Sequence, residues 1–322
     1  MARYQNWSTP YPLERAEALI AEVSEFEGPT DDEWWMLTIA DRFDDEVLGD
    51  LAVHLTQQGR TVEIGYTLER AVWGRGYAVE AASALVEYLF ETAGVTRVEA
   101  MLHPDNPASA MVLERVGLLF EGHTRSSFWL DDDNSDDWLY GMTRHDWDTW
   151  RNRPRQRPEH VELVEVTRDN LGAVLALAPH RSQLRFVEPA PNCLAEALVP
   201  PTAHGETVVA WYRAVIADGE PVGLTMVGRS RSGEQPPRLW RLLVDRLPQR
   251  RGIGSAVVDL VADQCRTWGA TELLASWGPG KGSPEPFFVR RGFVPIGTRD
   301  DGDVDARRIL TDAPLRLGAD SS

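Results

Sequence analysis

The sequence predicts two α/β domains in tandem, each a mixed sheet with helices against it in an α+β arrangement. Three observations carry that prediction. At 322 residues the chain is about twice an ordinary domain. Its apolar residues switch along the chain between strand periodicity and helix periodicity. One order of elements, a hairpin, a further strand, a glycine-rich turn and an amphipathic helix, occurs in both halves. Between the halves, residues 151–158 (RNRPRQRP) hold four arginines, two prolines and no apolar residue, the composition of an exposed linker. The reading is a first domain over 1–150, a linker over 151–158 and a second domain over 159–318.

In the first half, Trp34 to Ala40 and Val47 to Leu55 read as strands joined by the polar turn Asp41 to Glu46, an antiparallel hairpin. Val62 to Leu68 follows a second turn and extends the meander. After Trp73-Gly74-Arg75-Gly76-Tyr77-Ala78, apolar residues from Val79 to Ala93 recur at three- and four-residue intervals and stop at Gly94, an amphipathic helix. A glycine turn feeding a helix N-terminus offers N–H groups and the positive helix end to an anion such as a pyrophosphate. Arg97 to His103 reads as a strand, Pro104 to Ser109 leads into a helix ending at Gly117, and two strands fall near Glu121 to Trp129 and Trp138 to Arg144. A dinucleotide fold needs parallel strand–helix alternation, which the meander excludes.

The second half repeats the order. Val161 to Val166 is a strand, Asp169 opens a helix, Trp211 to Ala217 and Val222 to Val227 flank the turn at Asp218-Gly219, and Trp240 to Val244 is the next strand. Gln249-Arg250-Arg251-Gly252-Ile253-Gly254 then precedes a helix running from Ser255 to Trp268.

Hydrophobic content of 43% supports packed cores, and no run of about 18 apolar residues exists, so neither a membrane span nor a signal peptide is read and the cytoplasm is the default location. Cys193 and Cys265 are the only cysteines and lack metal-type spacing, so no metal is expected. Charge is uneven: residues 1–150 carry 29 Asp and Glu against 10 Arg, whereas 159–322 carry 21 acids and 19 bases. An acidic field repels nucleic acid and anionic membrane and favours a cationic substrate, although it also serves solubility.

Glu63-Ile64-Gly65-Tyr66, Trp73 to Ala81, Asn106-x-x-Ser109, Leu113 to Leu118 and Asp137 to Tyr140, in that order, resemble the GNAT acetyltransferase superfamily. The closest likeness is to the branch that includes ribosomal-protein N-terminal acetyltransferases. In the second half, Gln249 to Gly254 resembles the same superfamily's acetyl-CoA signature. Phe186-Val187-x-Pro189, Arg241 to Asp245 and Ser276 to Phe287 are similar to its polyamine (spermidine/spermine) acetyltransferase group.

The resemblance implies acetyl-CoA as acyl donor, with its pantetheine arm between the third strand and the strand after it. It also implies contacts from Trp73, Gly74, Arg75, Gly76, Tyr77 and Ala78 in the first domain. Val244, Gln249, Arg250, Arg251, Gly252, Ile253, Gly254 and Ser255 fill that role in the second. Two departures accompany it. The strand and helix that usually precede the residues matching Tyr4 to Trp7 are missing, and Phe288 stands where the polyamine group has a tyrosine that protonates the leaving thiolate; phenylalanine donates no proton.

An aliphatic amine is almost wholly protonated at neutral pH, so transfer needs a base and then a donor for the leaving thiolate. Glu63, before an expected kink at Gly65, is the favoured base and Glu99 the second choice; Glu63 reads equally as a buried structural acceptor. Ser109 is placed at the thiolate and Asn106 as an orienting group, both also readable as a helix cap. Tyr140 is the runner-up acid, His103 a structural residue, and the acids among 131–137 a field for polycations. The expected activity is transfer of acetyl to a primary amine of a polyamine, an aminoglycoside-like compound or a protein N-terminus, with the first domain as catalyst. The alternative is an acyl-CoA sensor or scaffold, and assembly into a homo-oligomer stays open.

Overall fold

The computed structural model describes residue 4 and residues 10–24, 28–130, 133–200, 202–203 and 206–310. The chain divides into two compact units, Met1–Asn152 and Arg153–Ser322. Both are mixed α/β layers, the fold class read from the sequence.

In the first unit, α1 (Leu13–Val23) precedes β1 (Trp34–Ala40), β2 (Val47–Thr56) and β3 (Thr61–Leu68), the meander expected from the alternation. The β2–β3 turn is tight because Gln57, Gln58 and Gly59 all take positive φ, the conformation short hairpins require. α2 (Tyr77–Glu91) crosses to β4 (Arg97–Leu102), α3 (Pro107–Val116) leads to β5 (Leu119–Leu130) and β6 (Asp133–Thr143), and α4 (Arg144–Asn152) closes the unit. The strand order is β1-β2-β3-β4-β6-β5, with β3 and β4 parallel and the other pairs antiparallel.

Alternation decides what each face does. Val53, Val62, Ile64, Val98, Ala100 and Met142 point to one side and form a single core cluster with Val86 and Leu89 of α2 and Leu113 of α3. Each such buried Val, Leu, Ile or Met side chain stabilises the unit by roughly 1.5–3 kcal/mol. The opposite face carries the other parity, including His54, Glu63 and Glu99, which are direct neighbours across β2, β3 and β4.

The second unit runs β7 (Val161–Val164), α5 (Arg168–Leu175), α6 (Ala190–Leu198), the two-residue pair β8 (Thr202–Ala203) and β9 (Glu206–Thr207), β10 (Val209–Ala217), β11 (Glu220–Arg229) and β12 (Arg238–Val244). It continues with α7 (Ile253–Thr267), β13 (Glu272–Trp277), α8 (Glu285–Arg290), β14 (Val294–Thr298) and β15 (Val304–Ile309). Its seven-stranded sheet has the order β14-β15-β13-β12-β11-β10-β7, again with one parallel pair, β12–β13. Here both faces are covered: Val257, Val258 and Val261 of α7 pack on one side, and Val174 of α5 and Cys193 of α6 on the other. Cys193 and Cys265 are buried free thiols, both pushed up by desolvation, Cys193 to about 11 and Cys265 to about 12.

The arginine-rich segment begins inside α4, where Arg151 pairs with Glu91 at 3.0 Å and lies over the Trp147 ring. Its remainder belongs to the second unit, with Pro158 buried there. Among the described residues, no helix is long and apolar enough to cross a membrane.

Candidate active sites

Each sheet opens at its parallel pair. β3 and β4 are partnered only at Thr61↔Arg97, Val62↔Val98 and Glu63↔Glu99, and beyond those pairs the strands separate. β12 and β13 are partnered only at Arg238↔Leu274 and Leu239↔Ala275. The expected kink at Gly65 is not in the β2–β3 ladder, whose register runs unbroken through Gly65↔Ala52; β4 leaves, while β3 keeps its other partner. In the second unit the corresponding strand, β12, is bulged: its ladder with β11 steps from Met226↔Arg241 to Val227↔Leu239 and leaves Trp240 unmatched.

A glycine turn stands at the end of each opening. Gly76 (φ 97°) caps α2 and Gly252 (φ 84°) caps α7, both in the left-handed region that a side chain disfavours. Two residues earlier each chain is again left-handed, at Gly74 (φ 78°) and at Arg250 (φ 66°). Space beside Gly74 and Gly76 is open, and the first helical bond of α2 is donated by Glu80 N–H to Gly76 O, so the N–H groups ahead of it are free of the helix ladder. Trp73 donates from Nε1 to Leu68 O at 2.9 Å, pinning the turn to the end of β3, and Arg75 stacks on Tyr77. In the second unit Gln249 does the pinning, donating to Val244 O at 2.9 Å. Ile253 is buried in the core, and a Cβ at Gly254 would lie 3.4 Å from the Phe287 ring.

The cavity at the α7 N-terminus measures about 420 Å³ and is lined by Arg155, Arg157, Arg250, Arg251 and Arg291, with Ser255 and Gly252 beneath. A row of guanidiniums over a helix N-terminus is a site for phosphates.

Around the first opening the polar groups divide between the two sheet faces. Glu63 lies on the face away from α3 and makes no hydrogen bond to another described residue. Desolvation raises its pKa above the ordinary carboxylate value, with Glu99 and Asp137 adding to the rise and His54 opposing it. Glu99 is occupied, accepting from Arg97 Nε at 2.9 Å, while Arg97 also forks onto Glu121. Of the two carboxylates read as candidate bases, Glu99 is thus ion-paired and Glu63, among the described residues, is not. Asp50 on the same strand face as His54 is also pushed up by burial.

On the other face Tyr66 hydroxyl sits 2.8 Å from Ser109 Oγ and donates to Ser109 O at 3.0 Å. Asn106 caps α3, its Oδ1 accepting from Ser109 N–H at 3.2 Å, so its side chain is committed to the helix end. Tyr66 closes the Glu63-Ile64-Gly65-Tyr66 pattern, in which the sequence gives it no role. Its pairing with α3 links residues far apart in the chain, which no local spacing reveals. Burial raises the phenol's pKa.

Tyr140 is 1% exposed, faces the core and donates to buried Glu114 at 3.0 Å, away from the Glu63 face. His103 accepts from Asp105 N–H through Nδ1, a turn contact. Of the acidic run, Asp131 and Asp132 lie outside the described residues; Asp136 is held by Ser126 N–H and His123 and Asp137 by Ser127.

The matching region of the second unit is furnished differently. Phe288 is 8% exposed and stacked on Trp277 at 5.2 Å between ring centres, with Phe287 and Phe293 edge-on to it. Arg238 pairs with Asp305 and Arg241 with Glu196. Among the described residues no group of three His, Cys, Asp or Glu side chains is placed to hold a metal ion.

Two splayed parallel pairs, each ending in a left-handed turn at a helix N-terminus, define a duplicated acyl-carrier-binding transferase frame. Family models agree: an acetyltransferase (GNAT) domain matches residues 1–119, and the acetyltransferase (GNAT) family matches residues 182–293. The chain belongs to the GNAT acetyltransferases, with two such domains.

Among its relatives is an uncharacterized N-acetyltransferase p20 of Bacillus licheniformis, 37% identical over 82 residues, which are 25% of this chain and 46% of that protein. The putative ribosomal N-acetyltransferase YdaF of Bacillus subtilis (strain 168) is 30% identical over 107 residues, 33% of this chain and 58% of that one. The ribosomal protein uS5-alanine N-acetyltransferase of Escherichia coli (strain K12) is 30% identical over 84 residues, 26% and 43% of the two chains. The chain thus spans about half the length of the curated relatives it matches. A spermidine N-acetyltransferase from Vibrio cholerae solved with CoA and spermine aligns over 45% of this chain and 83% of its own, at 14% identity and a TM-score of 0.40.

Proposed function

We propose that the chain is an acetyl-CoA-dependent N-acetyltransferase that acts on a primary amine of a cationic acceptor, and that transfer runs in the first unit. The observation that carries this is Glu63: a half-buried, uncommitted carboxylate of raised proton affinity at the residue where β3 and β4 part. Donor phosphates rest on the N–H groups of residues 75–78, and the thioester reaches the gap between the strands.

Glu63, directly or through water, takes a proton from the acceptor's ammonium, and a pKa raised towards neutrality suits a base for that task. The free amine attacks the thioester carbonyl carbon, and N–H groups of β3 that face the gap meet the oxyanion. When the C–S bond breaks, the second proton of the attacking nitrogen passes to the sulfur. Tyr66 turns its single O–H from Ser109 O to the departing thiolate, stabilises it by a hydrogen bond and keeps the proton, because burial holds the phenol above its ordinary value while a thiol titrates at about 8.5. Ser109 orients that hydroxyl. Products are the acetylated amine and CoA, and the proton on Glu63 returns to solvent.

The acceptor class follows from the same face. Asp50, Glu63, Glu99 and Asp137 gather negative charge there, and the small pair Gly65 and Ala52 leaves room beside Glu63. Polyamines, aminoglycoside-like amines and protein N-termini all present a cation to such a surface. A cytoplasmic setting fits this reading.

A second role is favoured for the second unit. Its arginine-lined cavity supports acyl-CoA binding, while the buried Phe288 offers no proton and its β12 arginines are paired, so it binds donor without catalysing transfer. CoA release from acetyl-CoA across polyamines, aminoglycosides, amino acids and N-terminal peptides tests the whole. At least one cationic amine raises release well above the water background; if acetyl-CoA binds and no amine does so, the sensor reading replaces this one.

A further inference from the structure

We propose that residues 153–157 form an arginine strap that closes the α7 cavity over the 3′-phosphorylated adenosine diphosphate end of an acyl-CoA, reading the 3′-phosphate through Arg155 and Arg157. The inference rests on the second unit being a CoA-binding domain and adds which part of the donor it discriminates.

The strap is held in place rather than draped. Arg251, whose side chain is 9% exposed, donates from Nε to Gln156 O at 2.6 Å and pairs with Asp218 at 3.5 Å. Pro158 is buried, and the next turn of chain is tied to the β10–β11 hairpin, with His160 N–H donating to Asp218 Oδ1 at 2.9 Å and Asp218 N–H to His160 O at 3.0 Å. Arg157 consequently runs beside the α7 cap, 3.8–3.9 Å from where a Cβ on Gly252 would stand.

Charge gives the ligand. Arg251 has Asp218 and Arg291 has Asp259, but among the described residues Arg155, Arg157 and Arg250 meet no carboxylate. Three uncompensated guanidiniums around one cavity repel each other, and a multivalent anion relieves that repulsion. A pyrophosphate on the helix N-terminus answers the turn's own arginines. Arg155 and Arg157 of the strap, which both line the cavity, exceed that need and match a second phosphate, a monoester of about −1.5 to −2 charge at neutral pH, which guanidiniums grip bidentately.

Arg250 strengthens the case. It occupies a left-handed backbone position where the first unit uses Gly74, a conformation costing a non-glycine residue about 1–2 kcal/mol, and what that strain obtains is a guanidinium at the cavity. Trp73 to Ala78 in the first unit has a single arginine, Arg75, stacked on Tyr77.

Trypsin gives a local readout in the full chain, because within the strap only Arg155–Gln156 follows an arginine without a proline after it. CoA, 3′-dephospho-CoA and inorganic pyrophosphate are titrated against cleavage at that bond, with calorimetry counting CoA per chain. The expected result is protection by CoA at a concentration at least about tenfold lower than by dephospho-CoA, with pyrophosphate weaker still. In Arg157→Gln, which keeps the cleavable bond, the CoA midpoint moves to that of dephospho-CoA. Equal midpoints in the wild type, or an unchanged ratio in Arg157→Gln, overturn the strap. Two CoA per chain without protection overturns it while leaving the second unit a CoA binder; one or none without protection removes the reading on which it rests.

Discussion

Glu63 and Leu239 stand at the same place in their units, each the last residue of its strand partnered across the parallel pair before a turn capped by Gly76 or Gly252. One is a carboxylate with raised proton affinity on the open face, the other a leucine 4% exposed in the core. Further along, Tyr66 meets Ser109 in the first unit, while Phe288 lies among aromatic rings in the second. The phosphate ends contrast in the reverse sense, one arginine in the first turn against five around the second cavity. The backbone geometry of the opening and its turn is thus shared, and the polar side chains around it are not, so frame and side-chain furnishing are separable properties of this fold.

Substitutions can break that contrast. Apart from Glu63→Gln, Gly76→Glu carries the largest expected effect: it forces a side chain into a left-handed cap and sets a carboxylate at the proposed place of the donor's pyrophosphate. kcat/KM falls by about 10²-fold, roughly 3 kcal/mol. If steady-state CoA release from Gly76→Glu stays near wild type, the first unit is not the enzyme.

Tyr66→Phe sharpens the comparison at the thiolate. Loss of a hydrogen bond to a charged group lowers kcat by about 10-fold with KM for acetyl-CoA little changed, and Ser109→Ala costs less because the Tyr66 hydroxyl that meets the thiolate remains. Equal losses in the two variants would assign the contact to Ser109 itself. The smallest effect is expected from Phe288→Tyr, which leaves the transfer rate within about twofold and lowers stability by about 1 kcal/mol through a hydroxyl placed among rings. A clear rise in rate would instead move chemistry to the second unit.

Much of the frame was legible because its signals are local. Alternation marked Trp34–Ala40 to its last residue, and Gly-x-Gly before an apolar helix marked both caps. The helices α1, α4, α6 and α8 were not read; α8 is only six residues, and α4 is held by Trp147 in the core and by arginine contacts to Glu91. Of the candidate site, strand parity could not say which face Glu63 took. That Glu99 is paired rests on Arg97, two residues earlier on the same strand and face, whose guanidinium also forks onto Glu121 of β5, a contact that no local spacing reveals. The segment at 153–158 looked like linker because it lacks apolar periodicity, and what fastens it is a guanidinium–carbonyl bond and one buried proline, neither of which has a periodic signature.

The central claim is that Glu63 is the base for transfer, and the pH dependence of kcat/KM in wild type and Glu63→Gln tests it most directly. An ionised Glu63 is the active form, so the wild-type rate rises with pH through a limb displaced above the ordinary carboxylate range by burial, followed by a second rise as the acceptor amine loses its proton near pH 10. Glu63→Gln is expected to lose at least about 10²-fold in rate near neutrality and to lack the lower limb while keeping the upper one. A Glu63→Gln enzyme within a few fold of wild type, with both limbs intact, would contradict the account and return Glu63 to a structural role.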